Sequence, residues 1–325
     1  MSLKDKNILI TGGAGNIGSL LAQSLIGRCR SVVCSDRREP VKNQGDSRNI
    51  TFIEQDITQD NVWSSFEGKI DLIFHLAAQT SAYRSNESIA EDWKINVKPV
   101  IGFLDSLKNK SWRPAMVFSS TATVVGLVNT WPVASNTREV PTTIYDIHKL
   151  TVEKYLKYYH EQMGGVSASL RLANVYGPGG GDPTSQDRGI VNQMIRKALS
   201  KEALTIYGQG DYVRDYIYIQ DVVNAFVCAG EHVESLNGEA YFVGTGKGHT
   251  IGQLAEKISK EASRRTGQNV AIKQQPFPAG ALSIEQRSFV ADSKDFQQLT
   301  GWKPAVNLDQ GLSLTAEYFG NQKVC

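Results

Sequence analysis

The first half of the chain alternates short apolar, β-branched runs with longer segments whose apolar residues recur at helical spacing. The runs that we predict to be buried strands cover residues 7–11, 31–35, 50–54, 70–75, 116–119 and 167–172. Helical spacing marks segments between them, such as residues 17–25 and 100–107. Strands that alternate with helices form βαβ units with right-handed crossovers, so this half predicts an α/β fold with a doubly wound parallel sheet.

The pattern changes after about residue 176. Residues 177–188 are rich in Gly, Pro and Ser and are predicted to form a loop. Beyond them the spacing predicts helices over 190–199, 251–266 and 308–319, strands over 204–207 and 216–219, and a helix beginning near Asp221. We therefore predict a larger domain over residues 1–175, rejoined by about residues 214–245, and a smaller C-terminal lobe formed by residues 176–213 and 246–325.

Composition and charge exclude several classes of protein. The 325 residues include 35 basic and 33 acidic side chains, whereas a nucleic-acid binder usually carries a basic excess. No stretch approaches the ~18 apolar residues of a membrane span, and no signal-peptide region precedes the first strand. We expect a cytoplasmic protein that binds neither nucleic acid nor membrane. Metal or redox spacing is absent from the cysteines, so we expect reduced thiols and no metal site at Cys29, Cys34, Cys228 and Cys325.

A glycine-rich turn, TGGAGNIG from Thr11 to Gly18, links the first strand to a helix. Backbone N–H groups in such a turn can approach a pyrophosphate closely, and the helix N-terminus adds partial positive charge. Asp36, 18 residues beyond Gly18, ends the second strand, where an acid hydrogen-bonds the adenosine ribose and repels a 2′-phosphate. This context predicts NAD as the cofactor. Arg37 and Arg38 leave NADP as an alternative cofactor. A simpler alternative is that the glycine turn has only a structural role.

Tyr145 and Lys149 are four residues apart in a helical segment, so their side chains share one helix face. Lowering a tyrosine pKa from about 10 to about 7 requires roughly 4 kcal/mol. One positive charge about 5 Å away supplies roughly 3 kcal/mol of this, and an oxidised nicotinamide ring can add the rest. Thr121 follows a predicted strand, and strand C-termini carry active sites in this fold class. We predict Thr121, Tyr145 and Lys149 as catalytic residues for hydride transfer at a carbinol carbon.

These segments resemble the extended short-chain dehydrogenase/reductases, specifically the NAD-dependent epimerase/dehydratase family acting on nucleotide sugars. The resemblance covers nearly the whole chain and implies a Rossmann domain that binds NAD and a C-terminal lobe that binds the substrate. Several motifs carry it, namely TGGAGNIG (11–18), HLAA (75–78), FSSTATVVG (118–126), YDIHK (145–149), RLANVYGPG (171–179) and YGQGDYVRDYIYIQD (207–221).

The resemblance also implies which residues touch each ligand. Asp56 and Ile57 would flank the adenine, and Arg214 would clamp the substrate's diphosphate. The implied cofactor contacts are Gly12, Gly15, Asn16, Ile17, Gly18, Asp36, Arg37, Asp56, Ile57, Leu76, Ala77, Ala78, Asn96, Ser119, Tyr145, Lys149 and Leu172. The implied substrate contacts are Thr121, Thr123, Tyr145, Asn174, Val191, Tyr207, Arg214 and Arg287. We expect His148 and His160 to be exposed or at an interface, and His75 to be structural.

The residues after Thr121 bear on the reaction. Sugar dehydratases and decarboxylases of this family carry a nearby carboxylate, whereas residues 122–125 read Ala-Thr-Val-Val and resemble the 4-epimerases, with Val125 in place of their usual tyrosine. We expect a 4-epimerase that oxidises sugar C4 transiently and takes a UDP-hexose or a derivative. A 4-ketoreductase or dehydrogenase is the alternative, and a non-catalytic dinucleotide sensor or scaffold is a more remote one. The resemblance suggests a homodimer through the helices that contain residues 100–107 and 145–159.

Overall fold

The structure is a computed structural model that describes residues 1–38, 49–180 and 189–321. Its strands are β1 (Asn7–Thr11), β2 (Ser31–Asp36), β3 (Ile50–Glu54), β4 (Leu72–His75), β5 (Ala115–Thr121), β6 (Ser167–Leu172), β7 (Asn174–Tyr176), β8 (Leu204–Tyr207), β9 (Val213–Tyr218), β10 (Ala240–Val243), β11 (Gly248–Thr250) and β12 (Ile272–Gln275). Its helices are α1 (Asn16–Ser24), α2 (Ala82–Glu87), α3 (Ile89–Asn96), α4 (Lys98–Ser106), α5 (Ile144–Gln162), α6 (Ile190–Leu199), α7 (Ile219–Glu231), α8 (Ile251–Thr266), α9 (Lys294–Thr300) and α10 (Leu308–Asn321).

Within these ranges, seven parallel strands form one sheet in the order β10-β6-β5-β4-β1-β2-β3. The predicted doubly wound parallel sheet is therefore confirmed. The chain adds β2 and β3 on one side of β1 and then returns to add β4 on the other side. Ligands of such sheets bind outside the carboxyl ends of the strands where this reversal occurs. The fold thus predicts a ligand site at the carboxyl ends of β1 and β4.

Alternate residues of each strand face opposite layers of helices. Ile8 and Ile10 of β1 share an apolar cluster with residues of α1 and α7, whereas Leu9 packs in a second cluster with residues of α4 and α5. This is the period of two that a strand buried on both faces requires. The two layers hold the sheet rigidly beneath the carboxyl ends of its strands.

The C-terminal part of the chain has an apolar cluster of its own. Residues of α6, α8 and α10 pack there, including Met194, Leu254 and Phe319. Beside it β8 pairs with β12, and β7, β9 and β11 form a three-stranded sheet. Between these segments α7 packs on the main sheet and β10 pairs with β6 at its edge. The exact domain boundaries stay a prediction.

Some local bounds differ from those predicted from the sequence. β4 begins at Leu72 rather than residue 70, and Ile219 begins α7 although we predicted it as the end of a strand. Ile219 is buried, so its apolar side chain fits the period of either element. Most of the predicted loop 177–188 and Cys325 lie outside the described residues. None of the helices in the described ranges has the length and apolar character needed to cross a membrane.

Candidate active site

The glycine turn lies where β1 ends and α1 begins. The N–H groups of Gly12 and Gly13 donate to the Ser35 carbonyl at 2.8 and 3.2 Å, which ties the turn to the end of β2. Gly12 has φ +73°, and a Cβ there would lie 2.8 Å from the Ala77 nitrogen. Gly15 is the N-cap of α1 and offers no side chain to the first N–H groups of the helix. The turn therefore leaves the N-terminus of α1 open to an anion.

Gly18 is the position where a side chain would disturb this turn most. A Cβ on Gly18 would lie 2.2 Å from the Gly12 carbonyl oxygen, so Gly18→Ala must displace the turn. We expect this variant to weaken NAD binding at least tenfold, measured by titration calorimetry. Gly102→Ala is the matched control, because a Cβ at this glycine of α4 meets only Trp63 at 3.7 Å. Equal NAD affinity in the Gly18→Ala and Gly102→Ala variants would contradict the assignment of the turn.

Nine of the predicted cofactor residues line one pocket beside this turn. The pocket joins the carboxyl ends of β1, β2 and β4 to the segment after β3. The predicted residues that line it are Gly12, Gly15, Asp36, Arg37, Asp56, Ile57, Leu76, Ala77 and Ala78. Arg38, which the sequence indicated only for the NADP alternative, also lines it. Ser35, Gln55, Thr58 and Ile95 are lining residues that sequence reasoning missed.

Asp36 stands at the rim of this pocket. Its carboxylate accepts from the Ala14 N–H at 3.2 Å and forms an ion pair with Arg38 at 3.8 Å. The Arg38 side chain is thus engaged by the acid that would repel a 2′-phosphate. This arrangement favours the non-phosphorylated dinucleotide.

Two catalytic candidates meet where β5 faces the first turns of α5. The ammonium of Lys149 donates to the Ser119 carbonyl at 2.9 Å, and it lies 5.7 Å from the centre of the Tyr145 ring. Thr121 is the last residue of β5, and its hydroxyl lies 2.8 Å from the Thr123 hydroxyl. The Tyr145 N–H donates to Ser85 Oγ at 3.0 Å, which fixes the start of α5 against α2. The structure thus brings the predicted Lys149 and Tyr145 together beside Ser119.

Asn96 and Leu172 are predicted cofactor contacts that do not line the pocket. The Asn96 amide accepts from the Gln79 N–H and donates to the Gln79 carbonyl, both at 3.1 Å, and it also donates to Asp92. In this structure Asn96 therefore holds the segment after β4 that lines the pocket. Leu172 is buried at the end of β6.

Two arginines meet near the predicted substrate side. Arg214, 5% exposed, donates to the Glu285 carbonyl at 2.7 Å. Arg287 donates to Asn174 Oδ1 at 3.1 Å, and the Asn174 amide donates to the Asp215 carbonyl at 3.0 Å. The structure thus joins Arg287 to Asn174, which the sequence could only place in separate segments.

The two remaining substrate candidates differ in exposure. Tyr207 is 44% exposed, and its ring stacks on that of Phe277 at 6.2 Å between ring centres. Val191 is buried in the apolar cluster of the C-terminal part, so its backbone is what remains for a ligand. Phe277 carried no sequence signal because it lies in no motif.

Comparisons with known proteins agree along the whole chain. Residues 8–244 match the model of the NAD dependent epimerase/dehydratase family. This chain belongs to that family. It is 30% identical to the UDP-glucose 4-epimerase of Mycolicibacterium smegmatis over 321 residues, which cover 97% of this chain and 98% of the relative. The predicted membership of the extended short-chain dehydrogenase/reductases is confirmed.

Solved structures of the family are also similar. The UDP-glucose 4-epimerase of Thermotoga maritima, crystallised with UDP-glucose, has a TM-score of 0.86 and 33% identity, with 98% of this chain and 99% of that chain covered. The UDP-glucose 4-epimerase of Thermus thermophilus, in complex with NAD, has a TM-score of 0.82 and 29% identity, with 96% and 98% covered. NAD as the cofactor of this family member is confirmed.

The residues of this NAD-dependent family member set the charge of its site. Burial raises the pKa of Tyr145 above its ordinary value, and the carboxylates of Asp146 and Asp92 raise it further. Burial also lowers the pKa of Lys149 to about 8, although Asp92 and Glu153 oppose this shift. Lys149 therefore stays positive at neutral pH while the chain alone keeps Tyr145 neutral. The additional positive charge that turns Tyr145 into a base has to come from a bound ligand.

The buried charge of Lys149 predicts a pH-dependent stability. Its pKa is about 8 in the fold and 10.5 in its ordinary state, so between these values the unfolded chain binds more protons and the free energy of unfolding rises with pH. Lys149→Met lacks this group. We expect the variant to be more stable than the wild type by about 1–3 kcal/mol near neutral pH, with the difference shrinking toward about pH 10. Urea unfolding at several pH values measures it, and a difference independent of pH would contradict the buried charge.

His148 corrects one expectation. We expected an exposed or interface residue, yet His148 is 7% exposed and its Nδ1 lies 2.6 Å from Asp92 Oδ2. The reason is that α5 packs on α3 along this face. The first turns of α5 therefore bury polar side chains, which the spacing of its apolar residues does not reveal. Sequence reasoning also missed Asp92 and Asp146, which both act electrostatically on Tyr145.

The two arginines give this site a positive potential. Burial, together with the neighbouring charge of Arg287, lowers the pKa of Arg214 to about 10. Burial lowers the pKa of Arg287 as well. A guanidinium group whose pKa falls in this way is short of negative partners, so this cluster suits an anionic ligand.

Proposed function

We propose that this enzyme is a nucleotide-sugar 4-epimerase that oxidises its substrate transiently at sugar C4. The observation that carries the proposal is the pair of guanidinium groups, the buried Arg214 and the half-buried Arg287, in a chain that also brings Tyr145 and Lys149 together at the end of β5. An enzyme of this family needs such a cluster to grip a diphosphate while the sugar reacts.

The residues of the pocket suit NAD. The N-terminus of α1 fits a pyrophosphate, because the first N–H groups of a helix have no carbonyl partner within it, and the absence of a Cβ at Gly18 allows the tight turn. Asp36 fits the ribose hydroxyls, and Asp56 and Ile57 fit the adenine. When bound, NAD supplies an acceptor and donor of hydride and a positive charge beside Tyr145.

The side chains of this enzyme then divide the work. Tyr145 takes the proton of the sugar 4-hydroxyl, and Lys149 stabilises the phenolate that results. The 4-keto sugar turns about its diphosphate linkage and presents its other face, after which Tyr145 returns the proton. Arg214, Arg287 and Asn174 hold the diphosphate throughout, and stacking on Tyr207 and Phe277 retains the base. The sugar is free to rotate because these residues bind only the nucleotide part of the substrate.

The substrate that we propose is a UDP-hexose or a derivative of one. The relatives named above are UDP-glucose 4-epimerases, and an arginine pair suits any nucleoside diphosphate. Val125 is buried at the end of the Thr121 loop, where the resembling epimerases carry a tyrosine. Val125 packs there with Phe242 and Phe289 in an apolar cluster, so the hydroxyl of that tyrosine has no counterpart in this chain.

We also propose a homodimer through α4 and α5. An apolar groove between these helices is lined by Ile101, Leu104, Tyr155, Tyr158 and Met163. Tyr158 is 53% exposed, and a second copy of the same face would cover it. Light scattering after gel filtration tests the dimer, and Tyr158→Asp should shift the mass to that of a monomer. A wild-type chain that is monomeric at high concentration would contradict this interface.

The experiment for the reaction is proton NMR of the purified enzyme with UDP-glucose, UDP-galactose, their N-acetyl forms and UDP-glucuronate, without added cofactor. We expect the 4-epimer of at least one sugar to appear while the amount of bound NAD stays constant. No epimer from any of these sugars would contradict the epimerase. Consumption of NADH by 4-keto sugars would then identify the reductase, and dinucleotide binding without turnover of either kind would identify a sensor.

A further inference from the structure

The loop after Thr121 has a carboxylate beside it that the local sequence does not reveal. Residues 122–125 contain none, but Asp146, in the first turn of α5, reaches this loop and accepts a hydrogen bond from the Thr123 hydroxyl. Asp146 is 1% exposed. Its other oxygen, Oδ2, has no hydrogen-bond partner in the part of the chain that the structure describes. The Asp146 carboxylate also opposes the lowering of the Arg287 pKa, so its charge acts on the arginine cluster as well as on the threonine loop.

The side chains of Thr121, Thr123 and Asp146 form a hydrogen-bonded row. The direction in which each hydrogen points along this row follows from the chemistry of the groups. A carboxylate has no hydrogen to donate, so the single hydroxyl hydrogen of Thr123 points to Asp146. The Thr121 and Thr123 hydroxyl oxygens are 2.8 Å apart, which requires a hydrogen between them. Because the Thr123 hydrogen is already used, that hydrogen must belong to Thr121. The Thr123 N–H occupies one acceptor site of Thr121 at 3.3 Å, so one lone pair of Thr121 remains free.

We propose that Asp146 is a positioning residue that turns the Thr121 hydroxyl hydrogen away from the substrate, through Thr123. This rests on the proposed function in one respect, namely that Thr121 contacts the oxygen on sugar C4. Thr121 then meets that oxygen as an acceptor only. Before the reaction a carbinol hydroxyl donates its single hydrogen to Thr121, and it turns that hydrogen to Tyr145 for the proton transfer. A ketone has no hydrogen to donate, so the bound alcohol is favoured over the 4-keto form. An epimerase benefits because its oxidised sugar is short-lived and does not escape.

Three single variants and one double variant test the row. Thr123→Val keeps the shape of the side chain and removes the link, and Asp146→Asn removes the constraint on direction. In both, the Thr121 hydrogen is free to reach a ketone. We expect the fraction of bound cofactor that is reduced, with nucleotide sugar present, to rise roughly two- to tenfold, the worth of one hydrogen bond. Thr123→Ser keeps the hydroxyl, so its reduced fraction should rise less than that of Thr123→Val. The double variant should show less than the product of the two single effects, because both changes break the same row, although Asp146→Asn also removes a charge that raises the pKa of Tyr145.

The proposal would be overturned if the effects of Asp146→Asn and Thr123→Val multiply in the double variant. It would also be overturned if the reduced fraction of the cofactor is unchanged in both single variants. Thermal unfolding of each variant with NAD checks its fold, and a simple loss of structure would lower the melting temperature without raising the reduced fraction.

Neutron diffraction from crystals of the deuterated enzyme with NAD tests the row without turnover. We expect the deuterium of Thr123 on the line to Asp146 and that of Thr121 on the line to Thr123. Deuterium on Asp146, or the Thr121 deuterium pointing elsewhere, would overturn the proposal even in an active epimerase. An enzyme that epimerises no sugar but shows these two positions would contradict the proposed function and leave the row supported.

Discussion

Replacing Tyr145 with phenylalanine should lower kcat about a thousandfold and leave the binding of NAD and nucleotide sugar nearly unchanged. General acid–base catalysis by a placed side chain contributes on the order of 10²–10⁴ in rate, and only the hydroxyl is lost. The ring of Tyr145 remains against Lys149, so the packing of α5 is retained. The measurement combines the NMR rate of epimer formation with calorimetric titration of both ligands.

Tyr159→Phe is the matched control for this variant. Tyr159 lies on the same helix, is fully buried, and donates its hydroxyl to the Pro114 carbonyl at 2.9 Å. Its loss should cost about 1 kcal/mol of stability and leave kcat unchanged. A Tyr145→Phe enzyme that keeps the full kcat, or a Tyr159→Phe enzyme that loses it equally, would contradict Tyr145 as the base.

Replacing Arg171 with methionine should destabilise the fold by about 3–5 kcal/mol. Arg171, on β6, binds Glu153 of α5 through two nitrogens at 2.6 and 3.0 Å and also reaches Glu139 at 2.6 Å. Ser120 donates to the same Glu153 carboxylate. Burial lowers the pKa of Arg171, but the two carboxylates outweigh it and raise the pKa above its ordinary value. Without the guanidinium, Glu153 is a buried charge that has lost its ion pair and keeps the hydrogen bond from Ser120, which is costly. Urea denaturation measures the loss.

The ion pair between Arg171 and Glu153 itself contributes less stability than the expected loss of about 3–5 kcal/mol indicates. Arg171→Met combined with Glu153→Leu removes both charges, so it should recover most of the stability that the single change loses. Lys257→Met, which removes a surface ion pair with Asp309 at 2.7 Å, is the control and should cost at most about 1 kcal/mol. A double variant no more stable than Arg171→Met alone would show that the cost comes from lost packing and not from the orphaned carboxylate.

The features that were predicted correctly from the sequence are set by residues that lie close to each other along the chain. The period of two in β1, with Ile8 and Ile10 on one face and Leu9 on the other, predicted a strand covered on both sides. The spacing of four residues between Tyr145 and Lys149 put both on one face of α5, where they meet Ser119. Short, weakly periodic elements such as α2 and β10 carried no such signal.

Features made by side chains from distant segments could not be predicted in the same way. His148 was expected to be exposed, but α3 covers it and supplies Asp92. The segment after Thr121 contains no carboxylate, which favoured the epimerases, yet α5 brings Asp146 to the Thr123 hydroxyl. A motif records which groups adjoin in the chain, whereas hydrogen bonds and charges act across space.

The sequence by itself determined six of the seven strands of the sheet, the glycine turn, the family and the pairing of Tyr145 with Lys149. All of these follow from local periodicity and from residues held within a few positions of each other. Only the tertiary structure decided the electrostatics of the site: that Tyr145 is neutral, that Lys149 has a pKa of about 8, and that the charge of Arg287 lowers the pKa of the buried Arg214. The physical reason is that desolvation and charge interactions depend on burial and distance, which packing sets after the local elements have formed.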